Sequence, residues 1–236
     1  DEVHEFRVIG GEPFMHKEFH LIIKRLIDEP KVKKIAIYTN GTIIPKEYQM
    51  EDLKNNKVLV FITDYGIFSK KLNSLTQTLL WNNIAFYTLK VQGWADCAKI
   101  MRHHRDVEHQ KEIFKNCCAK NLATLLKGRL YRCPFCANAA RLLAVPDYEN
   151  DYINIFQEPQ EAMDIYEMKK KIKAFLLEKD FLQTCDYCNG RPFGAPEIQP
   201  AIQTDKPLEY EQVLFKIADD RKLENPRPCS PKNRQA

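Results

Sequence analysis

Four short β-type runs punctuate the first part of the chain at nearly even intervals. They begin near residues 6, 34, 58 and 84, about 25 residues apart. The runs are Phe6 to Ile9, Lys34 to Thr39, Val58 to Thr63 and Ile84 to Val91. Between them lie helical patterns. Phe19, Ile22, Ile23, Leu26 and Ile27 recur at helical spacing before Pro30, Pro45 to Lys54 reads as a short helix, and Leu72, Leu75 and Leu79 share one helix face. Hairpin-paired strands need only a short turn between them, whereas strands separated by a helix pair in parallel through right-handed crossovers. The predicted fold is therefore α/β with a parallel sheet.

In a parallel sheet all strands end on one edge, and that edge is where open sheets and barrels bind ligands. Polar residues collect there: Glu12 after the first run, Thr39 and Asn40 after the second, Thr63 and Asp64 after the third, and Gln92 after the fourth. The first run ends in Gly10-Gly11-Glu12-Pro13. The glycine pair lets another group approach the main chain, Glu12 offers a carboxylate, and Pro13 suits a turn or a first helical position. Each strand end alone is ordinary turn chemistry. Four in succession on one edge point to a binding site.

Composition excludes little. The net charge of +4 does not argue for nucleic acid, and no run of about 18 apolar residues is present to span a membrane. The chain opens Asp-Glu-Val-His-Glu, without Met and without a visible export signal, which leads to the expectation of a cytoplasmic protein and of a fragment or processed chain. All eight cysteines lie at or beyond Cys97. Cys133-x2-Cys136 and Cys185-x2-Cys188 have the spacing of metal or cluster ligands rather than of a secreted disulfide framework. Two such pairs make a four-thiolate zinc site possible, although the 48 residues between them exceed usual zinc-ribbon spacing. Gly128 suits a tight turn before a second hairpin strand, Arg129 to Arg132. Cys97 reads as a lone buried thiol, His103, His104 and His109 as part of a solvated helix, and Asp164 to Lys179 as a helix with Ile165, Met168, Ile172, Phe175 and Leu176 on one face. Lys169 to Lys171 form a solvated run. Beyond residue 196 an extended Pro-rich tail is expected, with Cys229 not a ligand.

Gly10-Gly11-Glu12-Pro13 after a strand, followed by βα repeats, resembles the radical S-adenosylmethionine enzymes, which fold as a partial (βα)6 barrel. The resemblance implies that Gly10, Gly11, Glu12 and Pro13 bind the methionine amino group of S-adenosylmethionine, with Thr39, Asn40, Thr63 and Asp64 near its methionine and ribose portions. The family's C-x3-C-x2-C cluster loop follows a first strand that would precede residue 1, so residues 1–110 would be a core lacking that strand and loop. The spacing Cys118-x9-Gly128-x4-Cys133, followed by Cys185-x2-Cys188, resembles the SPASM and Twitch auxiliary-cluster domains. On that match residues 111–195 hold one [4Fe–4S] cluster on Cys118, Cys133, Cys185 and Cys188, with Cys117 competing for the place of Cys118 and Cys136 an extra thiol. The implied function is hydrogen abstraction by a 5′-deoxyadenosyl radical from a peptide, sugar or small metabolite, with flavodoxin or ferredoxin as electron donor. The alternative is a non-catalytic iron–sulfur or zinc scaffold.

Overall fold

The computed structural model describes residues 2–96, 100–156 and 164–200. Cys97, Cys229 and the expected tail beyond residue 200 lie outside the described residues. The chain divides into two compact units, the first taking in the chain to Trp94 and the second most of the remainder.

The first unit is a parallel sheet of β1 (Phe6–Val8), β2 (Ile35–Thr39), β3 (Val58–Asp64) and β4 (Phe86–Lys90), in the order β1-β2-β3-β4. Phe6 stands opposite Ile35, Ile35 opposite Val58 and Val60 opposite Phe86. The crossovers carry α1 (Phe19–Asp28), α2 (Glu47–Leu53) and α3 (Leu72–Trp81). One alternate set of strand residues, Ile35, Ile37, Val58, Val60 and Ile62, forms a single core with Phe19 and Ile23 of α1, Leu53 of α2, and Leu75 and Leu79 of α3. All three helices therefore cover the same face. This follows from the strand order: right-handed crossovers that always step in one direction put every helix on one side, and only a reversal of order would cover both. The sheet is singly wound. Its opposite face carries Arg7, Tyr38, Phe61 and Tyr87. Tyr38 stacks on Phe61 at 4.8 Å between centroids, and Arg7 lies 5.7 Å over the Tyr38 ring.

The helix expected over Pro45 to Lys54 is present in shorter form, and Ile22, expected on the buried face of α1, is exposed. Ile22 follows the helical period but sits at the edge of a stripe that Phe19 and Ile23 already fill.

The second unit contains α4 (Val107–Asn116), β5 (Thr124–Leu126), β6 (Arg129–Tyr131), α5 (Pro134–Arg141), β7 (Tyr152–Asn154) and α6 (Ile165–Leu177). Strands β5, β6 and β7 form an antiparallel sheet in that order. Lys127 (φ 49°) and Gly128 (φ 75°) make the β5–β6 turn. Two consecutive positive φ values are the geometry that fits the right-handed twist of a two-residue hairpin. Asp164 caps α6, its carboxylate accepting from the Tyr166 and Glu167 amides. Met168 then packs on Leu130 and Ile153, with Ile172, Phe175 and Leu176 beside it. Ile165, expected on that face, is exposed in the first turn of α6, before the helix reaches the sheet. Residues 95–110, assigned by the sequence to the first domain, belong to the second unit. Among the described residues no helix is long and apolar enough to cross a membrane.

Candidate metal centre and strand-end site

In the first unit the end of β1 is tied to the end of β2 through Glu12. Its carboxylate accepts from the Thr39 hydroxyl at 2.9 Å, the Asn40 amide at 2.9 Å and the Phe14 amide at 3.2 Å. Glu12 also caps the short 3-10 turn Pro13–Met15, so Pro13 occupies the first helical position that its missing N–H allows. Three donors leave a carboxylate, with about four acceptor sites, room for one more. A Cβ at Gly10 or Gly11 would meet nothing within 4 Å, so the main chain on that side is open. Thr39 is buried and engaged with Glu12, which makes it a support for the carboxylate. The Asn40 side chain accepts from the Thr42 amide and hydroxyl, and Asp64 accepts from the Gly66 amide at 2.8 Å. Thr63 shares its face with Phe61. Ser69, which no sequence pattern singles out, is buried. Its hydroxyl bonds the Asn40 carbonyl at 2.7 Å, the Thr63 carbonyl at 3.3 Å and the Tyr65 amide at 2.9 Å, locking the ends of β2 and β3 together.

In the second unit Cys117, Cys133, Cys185 and Cys188 line one cavity of about 280 Å³, with walls that are almost entirely apolar. Three separate stretches deliver them. Cys117 ends α4, Cys133 is the N-cap of α5, and Cys185 and Cys188 belong to one tight turn. Gly190 (φ 71°) lets that turn reach α4: a Cβ there would stand 3.0 Å from Ile113 and 3.9 Å from Cys117. Backbone amides already aim at two of the sulfurs, Cys136 N–H at Cys133 Sγ (3.4 Å) and Gly190 N–H at Cys188 Sγ (3.2 Å). Burial pushes the Cys133 thiol up to about 11 and the Cys185 thiol up to about 12, so both are protonated near neutral pH without a metal.

Cys118 is not among the lining residues, and its amide donates to the Arg191 carbonyl. The alternate Cys117 stands in its place, because the 3-10 turn that starts at Cys118 leaves Cys117 as the last residue against α4. Cys136 is buried away from the cavity, its sulfur 3.3 Å from the Thr184 hydroxyl and 4.0 Å from Asp151. Asp151 in turn accepts from the Gln183 and Thr184 amides and the Thr184 hydroxyl, at 2.9, 2.8 and 2.6 Å. Burial raises its pKa against those bonds.

The Cys185–Cys188 turn is held from behind by residues the sequence did not mark. The Arg105 guanidinium donates to the carbonyls of Cys185 (3.1 Å) and Cys188 (2.8 Å) and to Asn189 Oδ1 (2.7 Å). Asp186, within the turn and buried, accepts from the Arg105 amide at 2.7 Å and from Arg102 Nε at 3.3 Å. His103 donates its amide to the Asp186 carbonyl. The expected solvated helix of histidines is thus corrected: His103 and His104 precede α4, in a segment that grips the turn, and His109 alone is helical, bonded to the N-cap Asp106. This grip is also why residues 95–110 belong to the second unit.

Among the described residues no three His, Cys, Asp or Glu side chains gather closely enough to hold a single metal ion. One zinc ion with Zn–S bonds of about 2.3 Å draws its thiolates to roughly 3.8 Å of each other. A polynuclear cluster sets several iron atoms between its thiolates and spaces them more widely. Four cysteines line the one cavity, and backbone amides aim at two of their sulfurs. No model of a known protein family matches the chain.

Proposed function

We propose that the chain is part of a radical S-adenosylmethionine enzyme whose second unit holds one auxiliary [4Fe–4S] cluster on Cys117, Cys133, Cys185 and Cys188. The first unit then represents strands of a partial (βα)6 barrel. The observation that carries this reading is the convergence of four cysteines, from three distant stretches, on one apolar cavity. The singly wound sheet supports it, since a barrel needs all its helices on one face. So does Glu12, held by Thr39 and Asn40 with an acceptor site to spare beside the open glycine pair.

When bound, S-adenosylmethionine together with an iron–sulfur cluster supplies hydrogen-atom abstraction, and the protein supplies position and electrostatics. Glu12 would accept from the methionine ammonium, while the main chain of Gly10 and Gly11 allows close approach. Ser69 and Thr39 would keep the strand ends from shifting as the ligand binds. Around the cavity the apolar walls exclude water, and Arg105 fixes the positions of Cys185 and Cys188. The substrate class is a peptide, sugar or small metabolite, with a flavodoxin- or ferredoxin-type electron donor.

The test is binding of S-adenosylmethionine to the 236-residue chain by equilibrium dialysis, compared with Glu12→Gln. Loss of a charged acceptor costs about 1.5–3 kcal/mol, so Glu12→Gln is expected to weaken binding about tenfold or more. Equal affinity of the two proteins would remove Glu12 from the site.

A further inference from the structure

Arg132 is 6 % exposed, and among the described residues no carboxylate pairs with it. Its NH1 donates to the Leu176 carbonyl in the last turn of α6, and its guanidinium lies 5.5 Å over the ring of Phe114. Nε is buried with no hydrogen-bond partner among the described residues. Phe114 itself lines the four-cysteine cavity, and Arg132 adjoins Cys133 in sequence. Among the described residues the charged ones in the cavity lining are Lys120 and Arg191, both cationic. A buried cation is expensive unless an opposite charge compensates it. One helix C-terminus offers roughly half an elementary charge and engages only one edge of the guanidinium.

We infer that Arg132 is the counter-charge of an anionic four-thiolate centre in this cavity, a positioning residue that stabilises the bound group and raises its reduction potential. The inference rests on the cluster reading above. Four thiolates on an oxidised [4Fe–4S] core carry a net charge of about −2, and one-electron reduction adds another. A fixed positive charge behind Phe114 favours the more negative state. Removing it disfavours reduction, and across a partly buried separation the effect is about tenfold in the reduced-to-oxidised ratio, or ~59 mV for one electron.

The experiment compares wild type, Arg132→Met and Arg132→Lys, each metal-free and after anaerobic loading with iron and sulfide. It measures thermal unfolding in both states and the midpoint potential of the loaded protein. Arg132→Met is expected to match or exceed wild type in stability when metal-free, because an uncompensated charge has gone. When loaded, it should be less stable than wild type, with its potential lowered by the amount above. Arg132→Lys keeps the charge and should keep the potential. Equal destabilisation of Arg132→Met in both states, with an unchanged potential, would overturn the inference and leave Arg132 as a cap of α6. If Arg132→Met fails to fold, the potential of Arg132→Lys decides: a fall equal to that tenfold change overturns it. Wild type that binds zinc in place of iron and sulfide would refute the cluster reading. Arg132 would still be judged by the sign of the stability change, since four thiolates on zinc also leave a net −2. Wild type that takes up neither overturns both.

Discussion

Arg105 acts on the main chain of the Cys185–Cys188 turn and on no cysteine side chain. Its bonds to the two cysteine carbonyls set where the sulfurs point, while Asp186 anchors the same turn from within. Charge-assisted bonds of this kind contribute about 1.5–3 kcal/mol when well shielded and less here, where Arg105 is only partly buried. Arg105→Met is expected to lower the stability of the second unit by about 1–2 kcal/mol in urea unfolding. It should also speed amide exchange across Cys185–Asn189 by hydrogen-exchange mass spectrometry. Unchanged exchange there would mean that the turn holds itself. Neither Arg105 nor Arg132 was legible in the sequence. An arginine that serves a loop about 80 residues away leaves no periodicity or spacing behind, and Arg132 reads only as the end of a hairpin strand. The Cys-x-x-Cys pairs were legible because two-residue spacing is itself the geometric requirement.

At the scale of elements, the helices of the first unit were visible through their apolar periods and all four of its strands through short apolar runs at even intervals. The β5–β6 hairpin was visible through Gly128 alone. The third strand of that sheet, β7, was missed because Tyr152–Asn154 is too short to carry an alternation. The hairpin depends on Gly128 more than on any strand residue. A Cβ there would stand 2.7 Å from the Phe156 Cβ, at a φ that L-residues avoid. Gly128→Ala is expected to destabilise the second unit by more than about 1–2 kcal/mol in urea unfolding. Lys127→Asn, which restores the Asn-Gly pair this turn favours, should leave stability unchanged or raise it by up to about 1 kcal/mol. A neutral Gly128→Ala would contradict the left-handed turn.

Across the whole molecule, two chemistries sit in two units: a carboxylate braced at the edge of a singly wound sheet, and a ring of thiols around an apolar cavity. The choice between Cys117 and Cys118 shows where sequence spacing stops. Both satisfy a loose ligand pattern, and only the turn after α4 decides which thiol faces the cavity. Cys136 has ideal spacing from Cys133, yet its sulfur lies in the Asp151–Thr184 network, 3.3 Å from the Thr184 hydroxyl, which spacing alone does not reveal. The measurement that bears most directly on the proposed four-thiolate centre is iron and sulfide content after anaerobic reconstitution of the 236-residue chain. It compares wild type with serine variants of Cys117, Cys118, Cys133, Cys136, Cys185 and Cys188. The expected result is about four iron and four sulfide per chain in wild type, Cys118→Ser and Cys136→Ser, with marked loss in the other four. Retention of full content by Cys117→Ser together with loss in Cys118→Ser, or a wild type that binds zinc and no sulfide, would contradict it.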